Sequence, residues 1–262
     1  MTIQELFGLK GKTAVVTGGT GNLGRSMCEV LAAAGAKVIV TGRNEKKCRE
    51  EAARLNGLYN TDCCGYKMDI SDMKDIKNGM KKAAGKKGRI DILVNNAVYC
   101  EMGNPESMTE EEWAYGVDGT LNSAYRCLKA VIPYMGNGSK IVNISSMYGM
   151  ISPDMRIYRE HPDFFSPPNY GAAKAGIIQL TKYFAVYLAA KGIGVNCLTP
   201  GSFPSKEVRK SKGFIKELTK KIPIGRVGEP HELGGAVLFL SSGASSYVTG
   251  QNIIVDGGWT IW

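Results

Sequence analysis

Histidine is almost missing from this chain of 262 residues: there are two, His161 and His231. They are too few and too isolated for a metal cluster or a serine-type triad, so no metal is expected and any catalysis falls to other groups. The seven cysteines form no C-x-x-C pair and are odd in number, which suits neither a disulfide framework nor a zinc site. They read as reduced, mostly buried thiols. The opening MTIQELFGLKGK has no apolar stretch long enough for a signal peptide, and no window approaches a membrane span. A soluble, cytoplasmic protein with no membrane partner is expected.

Acidic residues are the scarcer charge, 24 against 33 basic ones, for a net charge of +9. Such a balance admits an acidic partner such as nucleic acid or a phosphate-rich cofactor. The lysine runs Lys81-Lys82, Lys86-Lys87 and Lys220-Lys221 are dispersed and not interleaved with stacking aromatics. They read as a solvated face, and no nucleic-acid partner is expected.

What is present is a rhythm. The apolar runs TAVVT (13–17), KVIVT (37–41), IDILV (90–94), KIVNI (140–144), GVNCL (194–198) and the stretch 252–255 have strand length. Tyr66-Lys67-Met68 adds a further strand, and between the strands lie segments with helical periodicity. Asn22 to Ala34, about Glu45 to Leu55, a helix capped at Ser71 or Asp72, a long helix from the capping box Thr109/Glu112 toward Pro133, Tyr170 to Ala190, and Pro230 to Leu240 are expected helices. Alternation of this kind predicts an α/β fold, a doubly wound parallel sheet in one domain over 1–262. Segments of about 150–168 and 201–230 break the rhythm after strand ends and are expected to be substrate loops.

Residues 19 to 24, G-T-G-N-L-G, fit G-x-G-x-x-G directly after a strand and opening a helix, a context that predicts a dinucleotide site. At the end of the second strand the chain reads Thr41-Gly42-Arg43-Asn44. It has no carboxylate there for a ribose hydroxyl, and Arg43 can hold a 2′-phosphate, so NADP(H) is preferred, with NAD(H) a weaker expectation. Tyr170 and Lys174 stand four apart at a helix start and project from one face. A neighbouring ammonium is expected to lower the Tyr170 phenol toward neutrality. Ser146, just beyond 140–144, falls beside them and can orient a carbonyl.

These motifs together resemble the short-chain dehydrogenase/reductase family, in family order from Thr17 to Gly258. The resemblance implies that Gly18, Thr20, Asn22 and Leu23 hold the cofactor turn and that Asp69-Ile70 contact adenine. Asn96 and Ala97 would follow the fourth strand, while Pro200-Gly201 and Ser205 would lie against the nicotinamide. It further implies Ser146, Tyr170 and Lys174 as catalytic residues, Tyr170 moving the proton and Lys174 holding the ribose. The implied substrate is a small carbonyl or alcohol, with sugar acids, polyols, 3-oxoacyl thioesters and steroid-like alcohols all open. A homotetramer or dimer is also implied.

Four departures stand out. Asn22 replaces the usual middle glycine, and the spacing T-G-x-x-G-x-x-G is commoner in the sugar-nucleotide branch. Val98 replaces the glycine of N-N-A-G. Thr120 aligns with the asparagine that completes a catalytic tetrad. The interval from Ser146 to Tyr170 carries an insertion with Tyr158, His161, Phe164 and Phe165, expected to cover the substrate. A sugar-nucleotide epimerase or dehydratase and a catalytically silent NADP(H)-binding protein are the alternative functions. Arg209, Lys210 and Lys212 are read either as attracting an acidic substrate or as surface charge.

Overall fold

A computed structural model describes residues 2–101 and 103–262. Its elements run α1 (Ile3–Phe7), β1 (Thr13–Thr17), α2 (Asn22–Ala33), β2 (Lys37–Gly42), α3 (Glu45–Tyr59), β3 (Cys64–Lys67), α4 (Met73–Ala84) and β4 (Ile92–Asn95). The second half continues with α5 (Glu110–Val117), α6 (Ser123–Val131), β5 (Lys140–Ile144), α7 (Met155–Arg159), α8 (Pro168–Ala189), β6 (Gly194–Pro200), α9 (Lys212–Lys220), α10 (Gly234–Ser241) and β7 (Asn252–Val255). All strand pairs are parallel, in the order β3-β2-β1-β4-β5-β6-β7. The expected doubly wound, Rossmann-like sheet is therefore present. The direction in which successive strands are added to the sheet reverses between β1 and β4, which opens a crevice at the carboxyl ends of those strands.

The strands are apolar at nearly every position because both faces are covered. Along β1, Ala14 and Val16 pack into one core with α2, α3 and α10, while Val15 packs into the other with α4, α6 and α8. That alternation follows from the two-residue period of a strand.

The helix read from Thr109 toward Pro133 begins at the expected capping box and runs on to Val131, α5 and α6 being joined without interruption by a π-turn at Asp118–Asn122. The cause is Gly119, whose backbone meets Tyr99: its carbonyl accepts the Tyr99 N–H, and a Cβ there would stand 1.9 Å from the Tyr99 carbonyl oxygen. A one-residue widening of the helix accommodates the approach. The proposed substrate loops are more ordered than loops. They contain α7 and α9, which bury Ile157, Tyr158, Phe214 and Leu218 in a satellite core shared with Met147 and Trp259. Phe164 stacks on Phe214 with ring centres 4.4 Å apart, and Lys221 pairs with Asp154 at 2.6 Å.

Candidate active site

The crevice over β1 and β4, about 500 Å³, is lined by Gly18, Thr20, Asn22, Leu23, Arg43, Ile70, Asn96, Ala97, Ser146, Tyr170, Lys174, Pro200 and Gly201. Most residues expected at the cofactor and the catalytic centre thus share one wall. The glycine turn is shaped from below. Asn96 donates from Nδ2 to the carbonyls of Thr17 and Gly18 at 2.9 and 3.2 Å, and Thr17 Oγ1 accepts the N–H groups of Asn96 and Ala97, each at 2.9 Å. Gly18 sits at φ +64°, and a Cβ on Gly24 would stand 2.2 Å from the Gly18 carbonyl oxygen. Only glycine fits both places. The resulting cradle, open at the N-terminus of α2, has the form a pyrophosphate needs.

Asn22, the departure from the family's glycine, starts α2 and donates from Nδ2 to the Phe203 carbonyl at 3.2 Å. It ties the turn to the segment after β6. Arg43 is exposed at the crevice wall beside Thr20 and Gly42. Its charge helps hold the Asp69 carboxyl below its ordinary range, although the N–H and hydroxyl of Ser71 do more.

Two expected cofactor residues lie off this wall. Asp69 spends its carboxylate on Ser71, at 2.9 Å from the backbone N–H and 2.8 Å from the hydroxyl, and its neighbour Ile70 lines the crevice instead. Ser205 accepts the Val208 N–H and stands outside the lining residues. Met68, Tyr99 and Phe203 also line the crevice. Tyr99 followed Val98 in sequence and offered a signal by adjacency to Asn96-Ala97, whereas Phe203 reaches the wall only through the tertiary path of its loop.

Ser146 caps the turn that follows β5, its Oγ accepting the Tyr148 N–H at 3.2 Å. With a lone pair used in this way, its O–H proton is left to be shared between the Tyr170 oxygen and a carbonyl placed in the crevice. Tyr170 and Lys174 stand one turn apart on α8, with Lys174 Nζ 5.4 Å from the Tyr170 ring centre. The lysine is buried, donates to the Ile144 carbonyl at 2.7 Å, and has its backbone fixed by Ser145 Oγ at 2.8 Å. Burial lowers Lys174 to about 8. Burial also pushes Tyr170 up to about 12, opposed by the Ser146 hydroxyl. The expectation that Lys174 would lower Tyr170 is thus not met here. The ammonium points at a backbone carbonyl and sits over the ring, so desolvation of the phenolate wins. A neutral phenol beside a serine hydroxyl is a proton donor.

Thr120 does not join them. It lies in the π-turn, 1% exposed, with its Oγ1 lacking a partner among the described residues, and it is not on the crevice wall. A hydroxyl buried unpaired costs stability. Thr120→Val is therefore expected to raise stability by about 1 kcal/mol, or roughly 2–4 °C in melting temperature for a chain of this size. Catalysis should be unchanged, and scanning calorimetry alongside a turnover assay checks both. A large loss of turnover would return Thr120 to the catalytic tetrad. Arg209 is likewise engaged elsewhere, bonded to Glu229 at 2.8 Å and to the Pro204 and Gly228 carbonyls, while Lys210 pairs with Glu207. They are structural and surface charges.

Residues 19–260 match the family pattern described as Enoyl-(Acyl carrier protein) reductase. The 3-oxoacyl-(acyl-carrier-protein) reductase FabG of Chlamydia muridarum is 36% identical over 253 residues, 95% of this chain and 98% of that protein. The chain belongs to the short-chain dehydrogenase/reductase family. Its relatives within that family include the 2-dehydro-3-deoxy-D-gluconate 5-dehydrogenase of Bacillus subtilis, 33% identical over 263 residues, with 98% of each chain covered. Among solved structures, a gluconate 5-dehydrogenase from Burkholderia cenocepacia in complex with NADP and tartrate superposes with a TM-score of 0.88 at 29% identity, over 99% of both chains. The chain is accordingly an oxidoreductase of the short-chain dehydrogenase/reductase type, acting on CH–OH and C=O groups. Among the described residues no helix is long and apolar enough to cross a membrane.

Proposed function

We propose that residues 1–262 form one NADP(H)-dependent oxidoreductase domain that interconverts a ketone and a secondary alcohol, with Tyr170 as general acid and base. The observation that carries this reading is the shared wall. Buried Ser146 and Lys174, half-buried Tyr170 and the glycine cradle with Arg43 line one crevice. The cradle and crevice fit a dinucleotide, with Gly18, Thr20, Asn22 and Leu23 around its pyrophosphate and Arg43 toward a 2′-phosphate. When bound, the nicotinamide supplies or accepts the hydride. Ser146 holds the substrate oxygen by its O–H, and Tyr170 gives that oxygen its proton in the reducing direction. The positive charge of Lys174, 5.4 Å from the Tyr170 ring centre, then stabilises the nascent phenolate across that distance. The test is a titration of the protein with NADPH and NADH, followed by loss of the reduced-nicotinamide absorbance over a panel of ketones. Cofactor binding without turnover of any carbonyl would overturn it.

The pH dependence follows from the same groups. Tyr170 stays a neutral donor up to about 12, while Lys174 keeps its charge only below about 8. In the reducing direction kcat/KM is therefore expected to be flat below about pH 8 and to fall above it by roughly tenfold per unit as the ammonium loses its proton. A rate profile that stays flat well past the Lys174 value would show that its charge is not used.

A further inference from the structure

Ile70 and Tyr99 line the crevice from just past the ends of β3 and β4. Those strands are not neighbours. With β2 and β1 between them they run about 14 Å apart. One side chain from α6 ties the two segments together. Arg126 donates from Nε to the Ile70 carbonyl at 3.2 Å, and its terminal nitrogens grip both carboxylate oxygens of Asp118 at 2.8 and 2.7 Å. Asp118 in turn accepts the Tyr99 phenol proton, and Asn122 donates to the same carboxylate at 3.2 Å.

The tether decides what Tyr99 can offer. Its N–H is spent on the Gly119 carbonyl at 3.3 Å and its O–H on Asp118. The ring lies against Gly119, its Cδ2 2.3 Å from where a Cβ would stand, and against Tyr115 with ring centres 4.8 Å apart. Burial and the Asp118 carboxylate raise the phenol to about 12, so it stays a donor, while the Arg126 guanidinium holds Asp118 well below the usual carboxylate range. With both donors spent, Tyr99 brings ring carbon to the crevice. The Met68 N–H bonds the Gly42 carbonyl at 3.0 Å, which sets the Ile70 segment beside the end of β2 and Arg43. Ile70 and Tyr99 thus form an apolar wall that starts at the Arg43 end of the crevice, the kind of surface a planar base and its ribose pack on.

We propose that Tyr99 contacts the adenosine half of the dinucleotide through its ring, and that Arg126 is the positioning residue that fixes Tyr99 and Ile70 as one wall. The inference rests on the dinucleotide reading above and adds two residues to it.

The experiment titrates NADPH, NADH and adenosine 2′,5′-bisphosphate into the unmodified enzyme, Tyr99→Ala, Arg126→Met and Arg126→Lys, and measures ketone turnover by each. Circular dichroism melting confirms folding. Arg126→Lys keeps a charge for Asp118, so it tests the idea even if the Met variant does not fold. Tyr99→Ala and Arg126→Met are expected to raise the dissociation constants of NADPH and the bisphosphate by about tenfold. Arg126→Lys should raise them by about threefold, because one ammonium cannot serve Ile70 and both Asp118 oxygens at once. The loss should fall in the cofactor KM, with kcat at saturating cofactor and the NADPH/NADH ratio each within about twofold, since the wall touches what the two cofactors share. Unchanged affinities in Tyr99→Ala overturn the contact, and unchanged affinities in both Arg126 variants overturn the positioning role. Weakened NADPH with undiminished bisphosphate binding overturns the placement at the adenosine half. A fall in kcat at constant cofactor affinity also overturns the inference. If the unmodified protein binds NADPH but turns over no ketone, the reductase reading falls and the titrations still decide this one. If it binds neither cofactor, both fall.

Discussion

Tyr170→Phe is expected to reduce carbonyl turnover by about a thousandfold, within the 10²–10⁴ range of a well-placed general acid, while NADPH affinity stays within about twofold. The substitution removes one oxygen and keeps the ring that lies under Lys174, so packing on α8 is preserved and the loss isolates the proton. Nothing nearby replaces the donor. Ser146 retains its O–H, but its oxygen is fixed by the Tyr148 N–H at 3.2 Å and serves to hold the substrate oxygen. Lys174 is turned to the Ile144 carbonyl at 2.7 Å. Residual activity should come from binding and from the Ser146 hydrogen bond alone. Stopped-flow absorbance of the reduced nicotinamide, with fluorescence titration of NADPH on the same variant, measures both quantities. Turnover within about tenfold of the unmodified enzyme would remove Tyr170 from the proton-transfer role.

The reach of sequence reasoning differs sharply between parts of this molecule. Strands such as 13–17 and 140–144 were legible because a parallel strand covered on both faces must be apolar throughout, and that requirement is local. The glycine turn and the Tyr170/Lys174 spacing were legible for a similar reason: phosphate approach and helical periodicity constrain neighbours in the chain. The insertion was not legible in this way. Short α7 has only Ile157 and Tyr158 buried, and their partners Phe214 and Leu218 come from α9, more than fifty residues later. A periodic pattern two residues deep cannot announce a helix.

Charge and titration were the other blind spot. The Tyr170/Lys174 spacing correctly placed the two side chains on one face, yet the direction of the Tyr170 shift depends on how deeply the phenol is buried and where the ammonium points. Neither is written in four residues of sequence. Arg209 shows the same limit, since a basic side chain in a polar loop looks free until Glu229 and the Gly228 carbonyl are seen beside it. Thr120 was legible as a substitution at an aligned position, but its burial away from the crevice came from the π-turn that Gly119 and Tyr99 impose. A departure from a family pattern identifies where to look, and the packing decides what it means.

Arg43→Asp is expected to shift cofactor preference from NADPH toward NADH by at least about a hundredfold in the ratio of dissociation constants. Loss of a charge-assisted hydrogen bond accounts for roughly 1.5–3 kcal/mol, each 1.4 kcal/mol being tenfold. The shift comes from two sides. Removing the guanidinium strips a 2′-phosphate of its partner at the end of β2, and the introduced carboxylate repels that phosphate. The same carboxylate occupies the place where an acid binds a free ribose hydroxyl, so NADH affinity should hold or rise. Asp69 strengthens the effect, since its carboxyl, kept low by Ser71 and by Arg43 itself, would face a second acid in place of a cation. Arg43 is exposed and not part of either core, so the fold is expected to tolerate the change. Fluorescence titrations with both cofactors decide the point, because a ratio unmoved by the substitution would mean that Arg43 does not read the 2′-phosphate.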